Sequence, residues 1–314
     1  MKSVREIADF CADEDIKFVK LTFCDAVGQQ KNVSIPAGEL ERAFEYGIAF
    51  DASAIRGFEN ETHSDLFLSP EPDTLTILPW RPEKQRVARI LCSVRRPDGS
   101  IHECDTRSLL KKAVREAENA GLYLSVGAEN KFTVYGTDSR LFPADNAAYL
   151  DLEPEDGCCD IRRQVCLMLE SMGIPVNRSN HGLAAGQNSL GFGGMSVLRA
   201  ADTMMTTLTA IKVIAAENEL YAETGHITYD INVSGDSGSF IRSTAGRLTE
   251  LKRFFVPGGG AWKDITRMDS SSIKVTAIGA NPFIALMLII YAGLGNDVGS
   301  IYNRLPKPIA DLYS

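Results

Sequence analysis

The stretch GAENKFTVY, residues 127–135, reads as a β-strand whose two faces differ in chemistry. Side chains alternate along an extended chain, so Glu129 and Lys131 point one way and Asn130 and Phe132 the other. A carboxylate suited to a metal ion therefore stands beside an ammonium that would repel one. Three readings of the pair are open at this level: a metal site, a surface ion pair, or a metal site whose ligands have been replaced.

Outward from this strand the chain alternates helix with mostly antiparallel strand. Upstream, Asp105 is placed to cap an amphipathic helix, TRSLLKKAVREAENAG, that stops at Gly121. The strand itself spans 122–135. Downstream, DIRRQVCLMLESMG (160–173) and RAADTMMTTLTAIKVIAAENEL (199–220) read as helices, and strands are expected at 174–179, 188–192, 226–233 and 272–278. Near the start, a helix over 4–14 precedes two alternating strands, 18–24 and 30–35, around a turn at Val27-Gly28. AGELERAFEYG (37–47) has helical spacing, and strands at 74–79 and 86–94 follow. A boundary near 103 divides a small α+β unit, 1–103, from a second region, 104–314.

Composition limits the function. The 314 residues are 44% apolar and 24% charged, a globular balance, with a net charge of −8. The basic stretches are short and interrupted, which excludes an electrostatic footprint for nucleic acid. Seven irregularly spaced cysteines form no CxxC pair or zinc-type cluster, as expected of reduced thiols. The longest apolar run, PFIALMLIIYAGL (282–294), is shorter than the ~20 residues a membrane span needs. MKSVREIADF carries no signal-type apolar core. A cytoplasmic protein with no membrane partner is expected. There is no GxSxG elbow, Walker loop or HExxH motif, and the glycine-rich GFGGMS (191–196) and PGGGAW (257–262) read as turns.

Several segments, in order, resemble the glutamine synthetase family. FDASAIRGFENETHSDLFLSPEPDT (50–74) is similar to its Phe-Asp-Gly-Ser-Ser-Ile and Ser-Asp-Met segments. SNHGLAAGQNSLGF (179–192) resembles Ser-His-His-Glu-Val-Ala-Pro-Gly-Gln-His-Glu-Ile-Asp-Phe. DINVSG (230–235), KRFFVPG (252–258) and GANPFIALMLIIYAGL (279–294) resemble later motifs. The resemblance implies an α+β fold: a small β-grasp-like N-terminal domain, then a catalytic-type domain with a curved antiparallel sheet flanked by helices, here truncated. It implies rings in which neighbouring subunits share an active site, and ATP-dependent amidation of glutamate with divalent cations held by glutamates and one histidine.

Carried over position by position, the implied ligands are mostly replaced. Glu129 matches the first glutamate of the family's Glu-x-Glu strand, but the second is Lys131. Further ligand positions fall at Gly182, Ser189, Ser237 and Lys274, whose arginine neighbour is Thr276. Asp51 matches the aspartate that helps to deprotonate ammonium, with Ala54 replacing a nearby serine. Asn232 and Arg253 match substrate-binding residues, though Val233 replaces a glycine, and the glutamate flap reads Pro-Gly-Gly-Gly at 257–260. His181 lies in the 179–192 segment, beside the implied ligand position at Gly182. Asp51 and Asp65 are expected to serve turn capping or subunit contacts.

No metal or other cofactor is expected on this reading; magnesium and ATP enter only if ligase activity survives. Lys131, Glu129 and Lys274 are expected to form an internal ion cluster where metals would sit. The chain then reads as a non-catalytic relative acting through assembly or regulation in nitrogen metabolism, in rings or stacked rings of its own or together with an active glutamine synthetase. The alternatives are a sensor of an amino acid or nucleotide in the old cleft, and a residual or repurposed ATP-dependent carboxylate-amine ligase.

Overall fold

The computed structural model describes residues 3–58, 65–81, 83–136, 142–259 and 265–313. Two compact units form. The first holds residues 1–109 with 305–312, the second 110–304.

In the first unit, Ser3 and Glu6 close a reciprocal capping box on α1 (Val4–Asp13). Strands β1 (Ile16–Cys24) and β2 (Gln30–Pro36) form a hairpin whose turn uses Gly28 at φ 87°. Then come α2 (Leu40–Tyr46), β3 (Ile48–Asp51), β4 (Asp65–Pro70), β5 (Thr76–Ile77) and β6 (Arg86–Arg95). The sheet order is β2-β1-β6-β4-β3, with β5 on β6. β1 and β6 run parallel and the other pairs antiparallel.

The strand expected at 74–79 is thus reduced to two residues. Pro72 opens a 3₁₀ turn through Thr74, and Pro79 has no N–H to extend the ladder beyond Leu78, whose N–H donates to Val87.

The second sheet carries the site. α3 (Thr106–Asn119) leads into β7 (Tyr123–Gly136). The chain continues through α4 (Cys159–Ser171), β8 (Arg178–His181), β9 (Gln187–Ser196), α5 (Val197–Glu217) and β10 (Leu220–Ser234). It then runs through α6 (Ser237–Ala245), α7 (Lys252–Phe255), β11 (Ile265–Met268), β12 (Ser272–Ile278), α8 (Pro282–Gly293), α9 (Val298–Arg304) and α10 (Lys307–Leu312). The antiparallel order is β11-β12-β10-β7-β9-β8.

Strict alternation along β7 buries Val126, Ala128, Asn130, Phe132 and Val134, while Glu129 and Lys131 stay half-exposed. α5 packs against β7, β9 and β10 and covers the buried face. α8 lies deeper still: every residue from Pro282 to Gly293 is buried, as its lack of a polar stripe requires. Asn281 caps it by accepting from the Phe283 N–H, and Pro282 takes the first helical position, where no N–H is needed. All seven cysteines are free, and no helix among the described residues is long and apolar enough to cross a membrane.

The strand expected at 174–179 starts late, at Arg178. Gly173 (φ 73°) ends the α4 connection in a left-handed turn, and the Asn177 N–H is the first to reach β9, at the Gly191 carbonyl.

Candidate functional site

Register fixes which side chains meet on the open face. Arg178 on β8 pairs with Gly191 on β9, Gly191 with Glu129 on β7, and Glu129 with Thr228 on β10. In the next row, Asn180 faces Ser189, Ser189 faces Lys131, and Lys131 faces His226. On the other side, Gly127 faces Asp230 and Asp230 faces Lys274.

Gly191 is decisive in the first row. Having no side chain, it leaves Arg178 room to reach over β9 to a carboxylate two strands away. A Cβ at 191 would lie 3.0 Å from Asn177 Oδ1 and 3.2 Å from Arg178 Cβ.

The resulting cleft, about 470 Å³, is lined by Glu129, Asn177, Arg178, Asp230, Asn232 and Lys274 among others. Glu129 Oε1 accepts from Arg178 Nη2 at 2.9 Å and from Ser189 Oγ at 2.6 Å. Asp230 pairs with Lys274 at 3.1 Å. Thr276 sits 3.2 Å from Thr228, hydroxyl to hydroxyl. Burial first, and then Lys131, holds the His226 imidazole below its ordinary range, with Glu129 opposing.

The expected Lys131–Glu129–Lys274 cluster is corrected here. Lys131 shares the Glu129 face, but among the described residues no ion pair joins the two. The cation on Glu129 is Arg178, and the partner of Lys274 is Asp230. Strand periodicity assigns a face, whereas pairing across strands depends on register, which a single segment does not display. Arg178, Asp230 and Gly191 carry the cleft; Arg178 lies just before the 179–192 motif, and Asp230 and Gly191 lie inside quoted motifs but at none of the implied ligand positions. Alternation of Arg178 with Asn180, on the face of Ser189, is the signal that would have found the arginine.

Other positions fall as follows. Asn232 lines the cleft as expected. Arg253 does not: its guanidinium stacks 4.4 Å from the centre of the Tyr302 ring, a cation–π contact that employs the arginine in packing. Ser237 opens α6 behind the Asp236 cap. Gly182 faces the Gln187 side chain, which occupies the space a larger residue would need. Asp51, in the first unit, accepts from the Ser53 N–H in a local turn and stands opposite Asp65 in the β3–β4 register. Val233 is buried and Ala54 exposed. Part of the 50–74 segment (59–64), and Gly260 of the flap, lie outside the described residues.

Comparison with known proteins agrees with this architecture. Residues 15–97 match the profile "Glutamine synthetase, beta-Grasp domain" and residues 103–229 match "Glutamine synthetase, catalytic domain". A glutamine synthetase of Methanococcus maripaludis is 38% identical over 232 residues, covering 71% of this chain and 52% of the relative. One from Methanosarcina mazei is 38% identical over 221 residues, covering 69% and 49%. The cryo-EM structure of Plasmodium falciparum glutamine synthetase superposes with a TM-score of 0.82 over 94% of this chain and 75% of that one, at 16% identity.

The fold is therefore that of a β-grasp domain followed by a glutamine-synthetase catalytic-type domain. The chain belongs to the glutamine synthetase family. It spans about half the length of the curated relatives it matches.

Proposed function

We propose that this family member does not carry out metal-assisted, ATP-dependent ligation at the Glu129 cleft and acts instead through assembly or regulation in nitrogen metabolism. The observation that carries this reading is the pairing of both cleft carboxylates with protein cations: Glu129 with Arg178, and Asp230 with Lys274. Magnesium at nucleotide phosphates needs one or two free carboxylates besides phosphates and water. Arg178, Lys131 and Lys274 all oppose a divalent ion there, so the donor set does not fit the metal that the family implies. No ligation step is derived through it.

Self-association in rings, or co-assembly with an active glutamine synthetase, is the mode of action this reading favours. Calorimetric titration of magnesium with a non-hydrolysable ATP analogue tests the loss of metal chemistry. No heat at millimolar ligand is expected; binding that vanishes in Glu129→Ala would refute it. Sedimentation, alone and mixed with an active synthetase, tests assembly, and a monomer under both conditions counts against it.

One observation favours a second reading, a sensor of a zwitterionic amino acid. The cleft offers two ion pairs, and Asn232 beside them, to a ligand bearing both charges. A thermal shift with glutamate or glutamine that is lost in Arg178→Gln would support it; a flat response would remove it.

A further inference from the structure

His181 pairs with Asn188 across β8 and β9, and both are buried. Its neighbour Asn180 pairs with Ser189, which bonds Glu129, so His181 points to the opposite face of the sheet from the cleft. There it meets Asp145 and Asp156, both from the connection between β7 and α4. One ligand atom from each of the three lies within 4.8 Å of the others.

Three observations give this cluster the character of a metal site. First, His181 Nδ1 is 3.0 Å from the Gly182 carbonyl oxygen, which can only accept, so Nδ1 carries a proton and donates it. In the neutral ring Nε2 then presents a lone pair, 3.0 Å from Asp145 Oδ1, another acceptor. Two acceptors facing each other call for a cation, either a second ring proton or a metal ion, and an Nδ1–H anchored on a backbone carbonyl is how histidine commonly offers Nε2 to a metal.

Second, the Asp145 side chain is only 5% exposed; its Oδ1 accepts from the Gly186 N–H at 2.8 Å, the Cys158 thiol reaches the carboxylate, and its Oδ2 is buried with no N–H or O–H donor. A carboxylate oxygen stranded in that way is costly unless a positive group reaches it. Third, a separate cavity of about 520 Å³ opens onto Asp156 and His181 and is also lined by Asp151 and Glu153. It gives an ion a route in and room for the waters that complete its coordination.

We propose that Asp145, Asp156 and His181 bind a zinc ion, in a site independent of the reading of the Glu129 cleft. One imidazole and two carboxylates form a zinc-type donor set. Bonds of ~2.0–2.2 Å at tetrahedral angles put ligand atoms about 3.4 Å apart, so side chains that now lie within 4.8 Å of one another draw in by up to about 1.4 Å on loading. Arg162 donates to both oxygens of Asp156, one at 2.9 Å, and each oxygen retains lone-pair capacity for the ion. The guanidinium also opposes the ion's charge, which weakens the site relative to one built on three ligands free of cations. Bound zinc would tie the edge strand β8 to the chain before α4.

The test uses the full chain, stripped with chelator and titrated with zinc alone, without nucleotide. One ion per chain is expected, with affinity falling more than about 100-fold in His181→Gln and in Asp145→Asn, beyond what loss of an outer partner costs. Absence of binding, or equal binding by the variants, overturns the proposal. If the variants do not fold, anomalous diffraction from zinc-soaked wild-type crystals decides: a peak at bonding distance from the three side chains supports the site, and a peak elsewhere or none overturns it. A His181 ring carrying both protons in zinc-saturated protein, read by nitrogen NMR, overturns it as well.

Discussion

Substituting Arg178 with glutamine removes the cation that holds Glu129. The geometry sets the size of the effect. Arg178 Nη2 is 2.9 Å from Glu129 Oε1, so an ion bonded to that oxygen at ~2.1 Å would sit about 4 Å from the guanidinium. A divalent and a univalent charge at that distance repel by about 8 kcal/mol at an effective dielectric of 20, and by about 2 kcal/mol in water. The Arg178 side chain is 58% exposed and free to swing outward, so the lower figure applies. About 2 kcal/mol is roughly thirtyfold in affinity.

The assay is the free-ion electron paramagnetic resonance signal of Mn²⁺ titrated into wild type, Arg178→Gln, and the same variant carrying Glu129→Ala. Arg178→Gln should bind the ion roughly ten- to thirtyfold more tightly than wild type, and Glu129→Ala should abolish that gain. Any ion held elsewhere, including at Asp145 and His181, cancels in the comparison. If Arg178→Gln and wild type bind equally, or if wild type already binds Mn²⁺ tightly through Glu129, the electrostatic reasoning is wrong.

Three further outcomes follow from the packing and the charges. Gly293→Ala in α8 would set a Cβ 2.2–2.4 Å from atoms of the Phe240 ring, so urea unfolding should show a loss of at least ~2 kcal/mol from overpacking. Asp105→Ala removes the acceptor for the Val94 N–H and the Ser108 hydroxyl at the start of α3, and should cost about 2 kcal/mol by the same measurement. His226 should titrate below the ordinary 6.5 in an NMR titration, and Lys131→Glu should raise its midpoint. Because the folded-state pKa is depressed, protonation favours the unfolded chain. The His226 contribution is thus intact above pH 6.5 and is lost as pH falls below it. A midpoint unmoved in Lys131→Glu would show that burial alone sets the shift.

Much of the fold is visible in local pattern. The alternation in residues 122–135 identifies a sheet with one covered face, and the uniformly apolar 282–293 identifies a helix with no free side. Boundaries fail where a neighbour decides them. Residues 74–79 look like a strand until the two prolines and the single contact to Val87 cut it short, and β8 begins only where β9 is within hydrogen-bonding reach. The site follows the same division. Its face could be read from alternation, because Glu129 and Lys131 are two residues apart. Its ion pairs could not, because Arg178 lies 49 residues beyond Glu129 and Lys274 comes from a later strand paired with β10, in a register set by the whole sheet.

That register also explains why one reversion should not rebuild a metal site. Glutamate in place of Gly182 restores a carboxylate at a position where the family resemblance implies a ligand. A Cβ there would fall 2.5–2.9 Å from the Gln187 side chain, whose Oε1 accepts from the Leu183 N–H at 2.9 Å. Gln187 must move, giving up that bond for about 1 kcal/mol, while Arg178 stays on Glu129 and Lys131 stays beside it. Gly182→Glu alone is therefore expected to lower stability by about 1 kcal/mol in urea unfolding, with Mn²⁺ affinity unchanged. Combined with Arg178→Gln and Lys131→Glu, it should bind Mn²⁺ more tightly than any of the three substitutions alone, because the repelling charges leave as the ligands return. A tight Mn²⁺ site in Gly182→Glu by itself would mean that the cations are bystanders and that the missing glutamate was the only barrier.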